Sequence, residues 1–219
     1  MTLSVLAYDS ETGSIGGVAA TGNLAVGAWV LRVSPGYGAV ATQGTNVSTL
    51  WGEQALNMLT SEQNPEYVVQ QIIGGDPGKQ TRQLAVLNAQ GESSVFTGED
   101  NHQFKGSIAS HNAVFTGNWL SGPDVLQAMA EAYAQNARAP FPVRLLEALS
   151  AGVESGSDSR GTLSAALLVK SIDCPPLDLR VDYHETPVDE LKNLYQKATS
   201  SPYVEWTQQL PTIEEPNKC

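Results

Sequence analysis

Cysteine is nearly missing: Cys174 and Cys219 are the only two in 219 residues. Two thiols cannot build a disulfide framework or a four-thiolate zinc site. Basic residues are scarce as well. Twelve Lys plus Arg against 23 Asp plus Glu leave a formal net charge of −11. A surface of that sign repels phosphate backbones and anionic lipid, so neither nucleic acid nor a membrane is an expected partner. The acidic residues are dispersed, with no run of five like charges, which reads as a solvated surface. His102, His111 and His184 lie far apart with no ligand spacing, so no metal is expected, and no cofactor motif is present. No apolar stretch approaches the ~20 residues of a membrane span, and Met1-Thr2-Leu3-Ser4 carries no basic region or signal-length apolar run. The expectation is a soluble protein of a reducing cytoplasm.

Phosphate-binding and nucleophile-elbow motifs are lacking too. Gly74-Gly75-Asp76-Pro77-Gly78-Lys79-Gln80 superficially resembles a P-loop, but its first glycine is one place too close and Gln80 stands where Ser or Thr should hold magnesium. Gly13 to Gly17 is glycine-rich but lies between two strand patterns, not between strand and helix. No serine has glycine at both −2 and +2. Carboxylate pairs for glycoside cleavage are set by the fold, not by spacing, and stay open.

What is present is a chain with 41% hydrophobic and 16% charged residues, long enough for one domain with a sizeable core. Leu3 to Tyr8 and Ile15 to Thr21 read as a hairpin around Asp9 to Gly13. Ala25 to Val33 is apolar and reads as strand, as does Gly38 to Gln43. The period then changes to helical, with Trp51, Ala55, Met58 and Leu59 on one face. Asn64-Pro65 caps a second helix that carries Val68, Val69, Ile72 and Ile73 and stops at Gly74-Gly75. Gln83 to Asn88 and Ser93 to Thr97 form another hairpin, and Ser107 to Thr116 adds one or two strands. Two helices follow, one opened by Pro123 and one led in by Phe141-Pro142. Gly156 to Gly161 is a polar loop, Leu163 to Lys170 and Leu177 to Tyr183 are strands, and Val188, Leu191, Tyr195 and Ala198 mark a last helix. Residues 1–198 are read as a single domain and 199–219 as an irregular tail. Helices segregated from hairpin-linked strands indicate layered α+β, not alternating βαβ.

One feature has chemical content of its own. Thr2 follows Met1 and opens a strand. Removal of the methionine leaves a hydroxyl beside its own α-amine, a nucleophile and base within one residue. That amine titrates near roughly 7.7–8.0, so part of it is free base at neutral pH.

Several segments carry a resemblance: Thr2-Leu3-Ser4-Val5-Leu6-Ala7 with Asp9 to Gly13, Ala25-Val26-Gly27 and Gly36-Tyr37-Gly38-Ala39-Val40-Ala41-Thr42-Gln43. Further along stand Gly75-Asp76-Pro77-Gly78, Arg82-Gln83-Leu84, Phe96-Thr97-Gly98 and Gly117-Asn118 with Gly122-Pro123. Gly156 to Gly161, Ser164 to Val169 and Leu179-Arg180-Val181-Asp182 complete the set. In this order, over residues 2 to 198, they resemble the bacterial and archaeal domain-of-unknown-function family 1028, which is grouped with the N-terminal-nucleophile hydrolases. The resemblance implies a four-layer αββα sandwich, two antiparallel sheets between helix layers. It also implies amide hydrolysis by the N-terminal residue. One departure is plain: proteasome-like members pair their threonine with a lysine in the following strands, whereas Leu3 to Gln43 contains only Arg32. Some relatives of the family carry an added segment assigned to peptidoglycan binding, which is not expected in this chain.

The expected site is therefore Thr2 as nucleophile, with Gln43 and Asn118 as substrate-orienting or oxyanion residues. Arg82 or Arg160 is expected to hold an acidic substrate group in fork geometry, and Asp158, which shares a short Gly-bounded loop with Arg160, is expected among the substrate-binding residues. Trp51 and Trp119 read as core, and Cys174 as inert. The expected function is an amidohydrolase acting on a small amide, an amino-acid derivative or a peptide. The alternative is an inactive small-metabolite or protein-binding module on the same scaffold. The tail with Trp206 suggests a homodimer.

Overall fold

A computed structural model describes residues 2–156 and 161–218. The chain opens with β1 (Thr2–Asp9), β2 (Ser14–Thr21), a helical turn α1 (Val26–Trp29), β3 (Leu31–Ser34) and β4 (Gly38–Gly44). Two helices follow, α2 (Thr49–Leu59) and α3 (Pro65–Gly74), then β5 (Arg82–Asn88), β6 (Ser93–Thr97), β7 (Gly106–Ser110) and β8 (Ala113–Asn118). The remainder is α4 (Asp124–Gln135), α5 (Phe141–Glu154), β9 (Ser164–Lys170), β10 (Leu177–Val181), α6 (Pro187–Ala198) and α7 (Tyr203–Thr207).

The strands form two antiparallel sheets, β10-β9-β2-β1-β8-β7 and β3-β4-β5-β6. Three separate apolar layers show how they stack. Leu3, Val5, Phe115 and Leu167 of the larger sheet pack against Met129, Leu145, Leu149 and Leu191 of α4, α5 and α6. Val40, Leu84 and Val86 of the smaller sheet pack against Trp51, Leu59, Val68 and Ile72 of α2 and α3. Between the sheets lie Leu6, Ile15, Ala19, Val33, Ala41, Leu87 and Val114. The order is helix, sheet, sheet, helix: the αββα sandwich that the resemblance implied. A strand covered on both faces loses the apolar–polar alternation of a surface strand. This is why β1 is buried from Thr2 through Ala7, with odd residues toward the helices and even ones toward the second sheet.

Local chemistry fixes the helix starts. Ser48 Oγ accepts from Trp51 N at 3.3 Å and Asn64 Oδ1 from Tyr67 N at 2.8 Å, with Pro65 at the first helical position. Two sequence expectations are corrected. The apolar run 25–33 is not one strand. Ala25 takes a left-handed φ of 56°, Val26 to Trp29 turn helically, and β3 begins only at Leu31. Gly27 lies so close to Ala166 Cβ and the Arg180 stem that an added Cβ would sit 2.9 Å and 3.0 Å from them. The tail is not wholly irregular, because Tyr203–Thr207 is helical.

Candidate active site

Thr2 starts the central strand of the larger sheet and pairs with Thr21 on one side and Asn118 on the other. Thr21 in turn pairs with Ser164. Across four neighbouring strands this makes a row, Ser164–Thr21–Thr2–Asn118, of buried polar side chains at one end of the sandwich. The Thr2 and Thr21 hydroxyls are 3.2 Å apart. The next row inward is Ala166–Ala19–Ser4–Thr116, and the one after it Leu168–Gly17–Leu6–Val114. Polarity thus falls from the mouth toward the middle of the intersheet layer, and the residues near the mouth are small.

The second sheet answers with Gln43 and Gln83, which are partners in the β4–β5 register. Their carboxamides and the hydroxyls opposite form one chain of donors. Ser4 Oγ donates to Gln43 Oε1 at 2.8 Å and lies 2.7 Å from Thr116 Oγ1. Gln43 Nε2 donates to Gln83 Oε1 at 2.6 Å, and Asn118 Nδ2 donates to the same oxygen at 3.3 Å. Gln83 Nε2 donates to Gly117 O at 3.0 Å, Gly106 O at 3.1 Å and Thr97 Oγ1 at 2.8 Å. Since Ser4 has one proton, giving it to Gln43 makes Thr116 the donor to Ser4, and the chain then runs in one direction. Such a network rigidifies what it touches because every member is satisfied.

Beside Thr2 opens a cavity of about 160 Å³. Its walls are Leu24, Val26, Trp29, Val30 and Val47, and its polar lining is Thr2, Thr21, Asn23, Gln43 and the Gly44 backbone. Gly44 has φ 124° and lies against Thr81 O and Asn101 Oδ1, so no side chain fits there. The helical turn that carries Val26 and Trp29 is tied down by Ser164, whose Oγ accepts from Val26 N at 3.1 Å and donates to Asn23 O at 2.8 Å. Among the described residues, no charged side chain lines this cavity. Nor could any group of three or more His, Cys, Asp and Glu among them hold a metal ion. Among the described residues, no helix is long and apolar enough to cross a membrane.

Of the residues expected from sequence, Thr2, Gln43 and Asn118 come together here. Arg82 does not. It precedes Gln83 on β5, and adjacent strand residues point to opposite faces. Its guanidinium is paired with Asp76, donates to Asn46 O at 3.1 Å and lies 5.5 Å from the Trp51 ring centre, on the α2–α3 side. Asp158 and Arg160 lie outside the described residues. Trp51 is buried as expected, but Trp119 is 37% exposed. Its backbone turns at φ 57° directly after β8, and its ring stacks on His102 with centroids 4.3 Å apart. Thr42 N donates to Val30 O at 3.0 Å and is not available to an oxyanion. Sequence reading missed Ser4, Thr21, Gln83, Thr116 and Ser164. The usable signal was polar residues two apart in otherwise apolar strands, as in Thr2-x-Ser4 and Thr116-x-Asn118.

A family model described as a family of unknown function (DUF1028) matches residues 2–191. A crystal structure of a Silicibacter pomeroyi protein assigned to that family aligns with TM-score 0.95 at 43% identity, over 99% of this chain and 98% of that one. Anbu (ancestral beta-subunit) from Yersinia bercovieri aligns with TM-score 0.39 at 12% identity, over 96% and 98% of the two chains. BPH from Thiobacillus denitrificans, in complex with epoxomicin, aligns with TM-score 0.36 at 12% identity, over 84% of this chain and 100% of that one. No curated protein matches the chain.

Proposed function

The chain belongs to the DUF1028 family, and from that premise we propose that it is an amidohydrolase whose nucleophile is Thr2. The observation that carries this reading is the position of Thr2. It is buried at the mouth of an otherwise apolar intersheet layer, on the wall of a cavity, above a satisfied hydrogen-bond network. A polar row at that place has no packing advantage over aliphatic residues, which fill the layer beyond the hydrogen-bond network.

With Met1 removed, Thr2 Oγ1 attacks the amide carbonyl carbon. The Thr2 α-amine takes the hydroxyl proton and delivers it to the leaving amine nitrogen as the C–N bond breaks. Water then attacks the ester carbonyl and gives a proton to the same amine, which passes it to Thr2 Oγ1 as the acyl C–O bond breaks and the acid leaves. Hydrogen-bond donors to the oxyanion are drawn from the Gly44 backbone on the cavity wall and from Asn118, beside Thr2 in register. Ser4, Gln43 and Gln83 hold the β1 start against the second sheet and act as positioning residues.

The test is N-terminal mapping and intact mass after treatment with a β-lactone, which acylates a live nucleophile. Loss of Met1 with the adduct on Thr2 is the expected result. Thr2→Ala abolishes the adduct and lowers amide hydrolysis by at least about 10⁴-fold, while Thr2→Ser keeps part of both. The pH profile of kcat/KM rises through the amine titration, near roughly 7.7–8.0. Retained Met1, or a free Thr2 without adduct, sinks the reading. The alternative is then a binding module, which the lack of any charged side chain on the cavity wall among the described residues favours.

A further inference from the structure

We propose that the cavity beside Thr2 is a specificity pocket for a neutral, apolar group of leucine or phenyl size, and that it rejects carboxylates. The proposal rests on Thr2 as nucleophile and names the substrate class of that site. It departs from the acidic substrate group that the arginines suggested in sequence.

Three observations support it. The walls are five apolar side chains, Leu24, Val26, Trp29, Val30 and Val47. The Gln43 side chain and the Asn23 backbone on the lining are already engaged. Gln43 is spent on Ser4 and Gln83, and Asn23 donates its N–H to Thr21 Oγ1 at 3.4 Å and accepts from Ser164 at its carbonyl. A carboxylate entering here would lose its hydration and, among the described residues, meet no charged side chain, while the Thr2 amine is neutral in the form that acts as base, so the desolvation cost dominates any gain from packing. Finally, a volume of about 160 Å³ matches the ~150 Å³ apolar cavities that take up a benzene-sized ligand.

The rim has the right character for entry. Leu24 is 57% and Trp29 50% exposed, although both are large and apolar. Both lie on or beside the α1 turn, and Ser164 fixes the backbone of that turn. Val47 stands opposite, in the loop between β4 and α2, and is half-buried. It belongs to no helix or strand, so its side chain can be changed with little effect on the fold.

Two β-lactones that differ only in an isobutyl or a carboxymethyl substituent test the pocket. In each case Thr2 Oγ1 attacks the lactone carbonyl and the ring C–O bond breaks. The hydroxyl proton passes through the Thr2 amine to the released alkoxide, leaving a Thr2 ester and a free hydroxyl. The isobutyl lactone is expected to modify Thr2 about 100-fold faster than the carboxymethyl one. Val47→Arg supplies a cation at the rim and should cut that ratio at least 10-fold. Trp29→Ala removes one wall and should slow the isobutyl lactone about 5-fold while leaving the carboxymethyl rate unchanged. Equal rates, or a faster carboxymethyl lactone, overturn the pocket and leave the nucleophile standing. If neither lactone forms an adduct, the nucleophile reading fails and reversible binding decides. N-acetyl-leucinamide should then show saturation transfer with Thr2→Ala protein that N-acetyl-aspartate amide does not, and Val47→Arg should weaken it. Absence of that preference overturns the pocket as well.

Discussion

Gln83 shows how much of this site depends on one side chain. It is fully buried, accepts from Gln43 and Asn118, and donates to carbonyls of β7 and β8 in the opposite sheet. Leucine has a similar volume but leaves those donors and acceptors unpaired in a dry layer, at about 1–3 kcal/mol for each group. Gln83→Leu should therefore lower stability by about 3 kcal/mol or more in urea titration, and should loosen the Thr2 end of β1. Tyr133 presents the opposite case. Its hydroxyl is buried without a hydrogen-bond partner, while its ring packs edge-on to Phe115 and lies 4.5 Å from the Arg144 guanidinium. Burial pushes its pKa up to about 12, with Asp9 adding to the rise and Arg144 opposing it. A folded pKa above the unfolded value of 10.0 means that the folded state holds its proton longer. Stability is then full below pH 10 and falls as pH rises from 10 to about 12, by about 2–3 kcal/mol if the shift is fully expressed. Tyr133→Phe removes that alkaline loss and costs little at pH 7, since no hydrogen bond is broken. Denaturation midpoints of both proteins at pH 8 to 11.5 check it.

At the scale of elements, α1 is where local sequence and tertiary structure part. Ala25 to Val33 has strand composition throughout, and nothing in it marks a turn except Gly27. The turn forms because distant groups impose it: Ser164 of β9 binds the Val26 amide, and Asp182 O accepts from Ala25 N at 3.0 Å. Partners 138 residues away cannot be read from periodicity. Ser164→Ala should deprotect the Val26 amide to hydrogen exchange at least about 10-fold and weaken the isobutyl preference at Thr2, with strand amides of β9 unchanged. A global rise in exchange instead would show that Ser164 holds the sheet and not the turn. The helices were more legible, because their signals are local. Asn64-Pro65, the Trp51 to Leu59 face and Gly74-Gly75 each placed a boundary within a residue or two. Of the residues chosen from sequence for the candidate site, Thr2, Gln43 and Asn118 lie together, whereas Arg82 was chosen over its neighbour Gln83. Charge drew attention, and the parity of the strand decided which of the two joins the intersheet network of Gln43 and Asn118.

For the whole molecule, the layer order came from resemblance rather than from pattern. Composition and element order give layered α+β, but strands buried on both faces hide which side meets helices and which meets the other sheet. The charge balance, by contrast, needs no structure. Twelve basic and 23 acidic residues leave 11 acidic charges in excess, and their mutual repulsion opposes the compact state. Salt also screens attractive pairs such as Arg32–Glu53 and Lys192–Glu147, but partly exposed pairs of this kind contribute only about 0–1 kcal/mol each. The repulsion acts over many pairs at longer range, where the Debye length of about 10 Å at 0.1 M removes most of it. Raising sodium chloride from about 20 mM to about 500 mM at pH 7 should therefore raise the thermal midpoint by a few degrees. The gain should shrink toward pH 4.6, the sequence isoelectric point, where little net charge is left to screen. A midpoint that falls with salt at pH 7 would mean that the paired charges outweigh the excess ones.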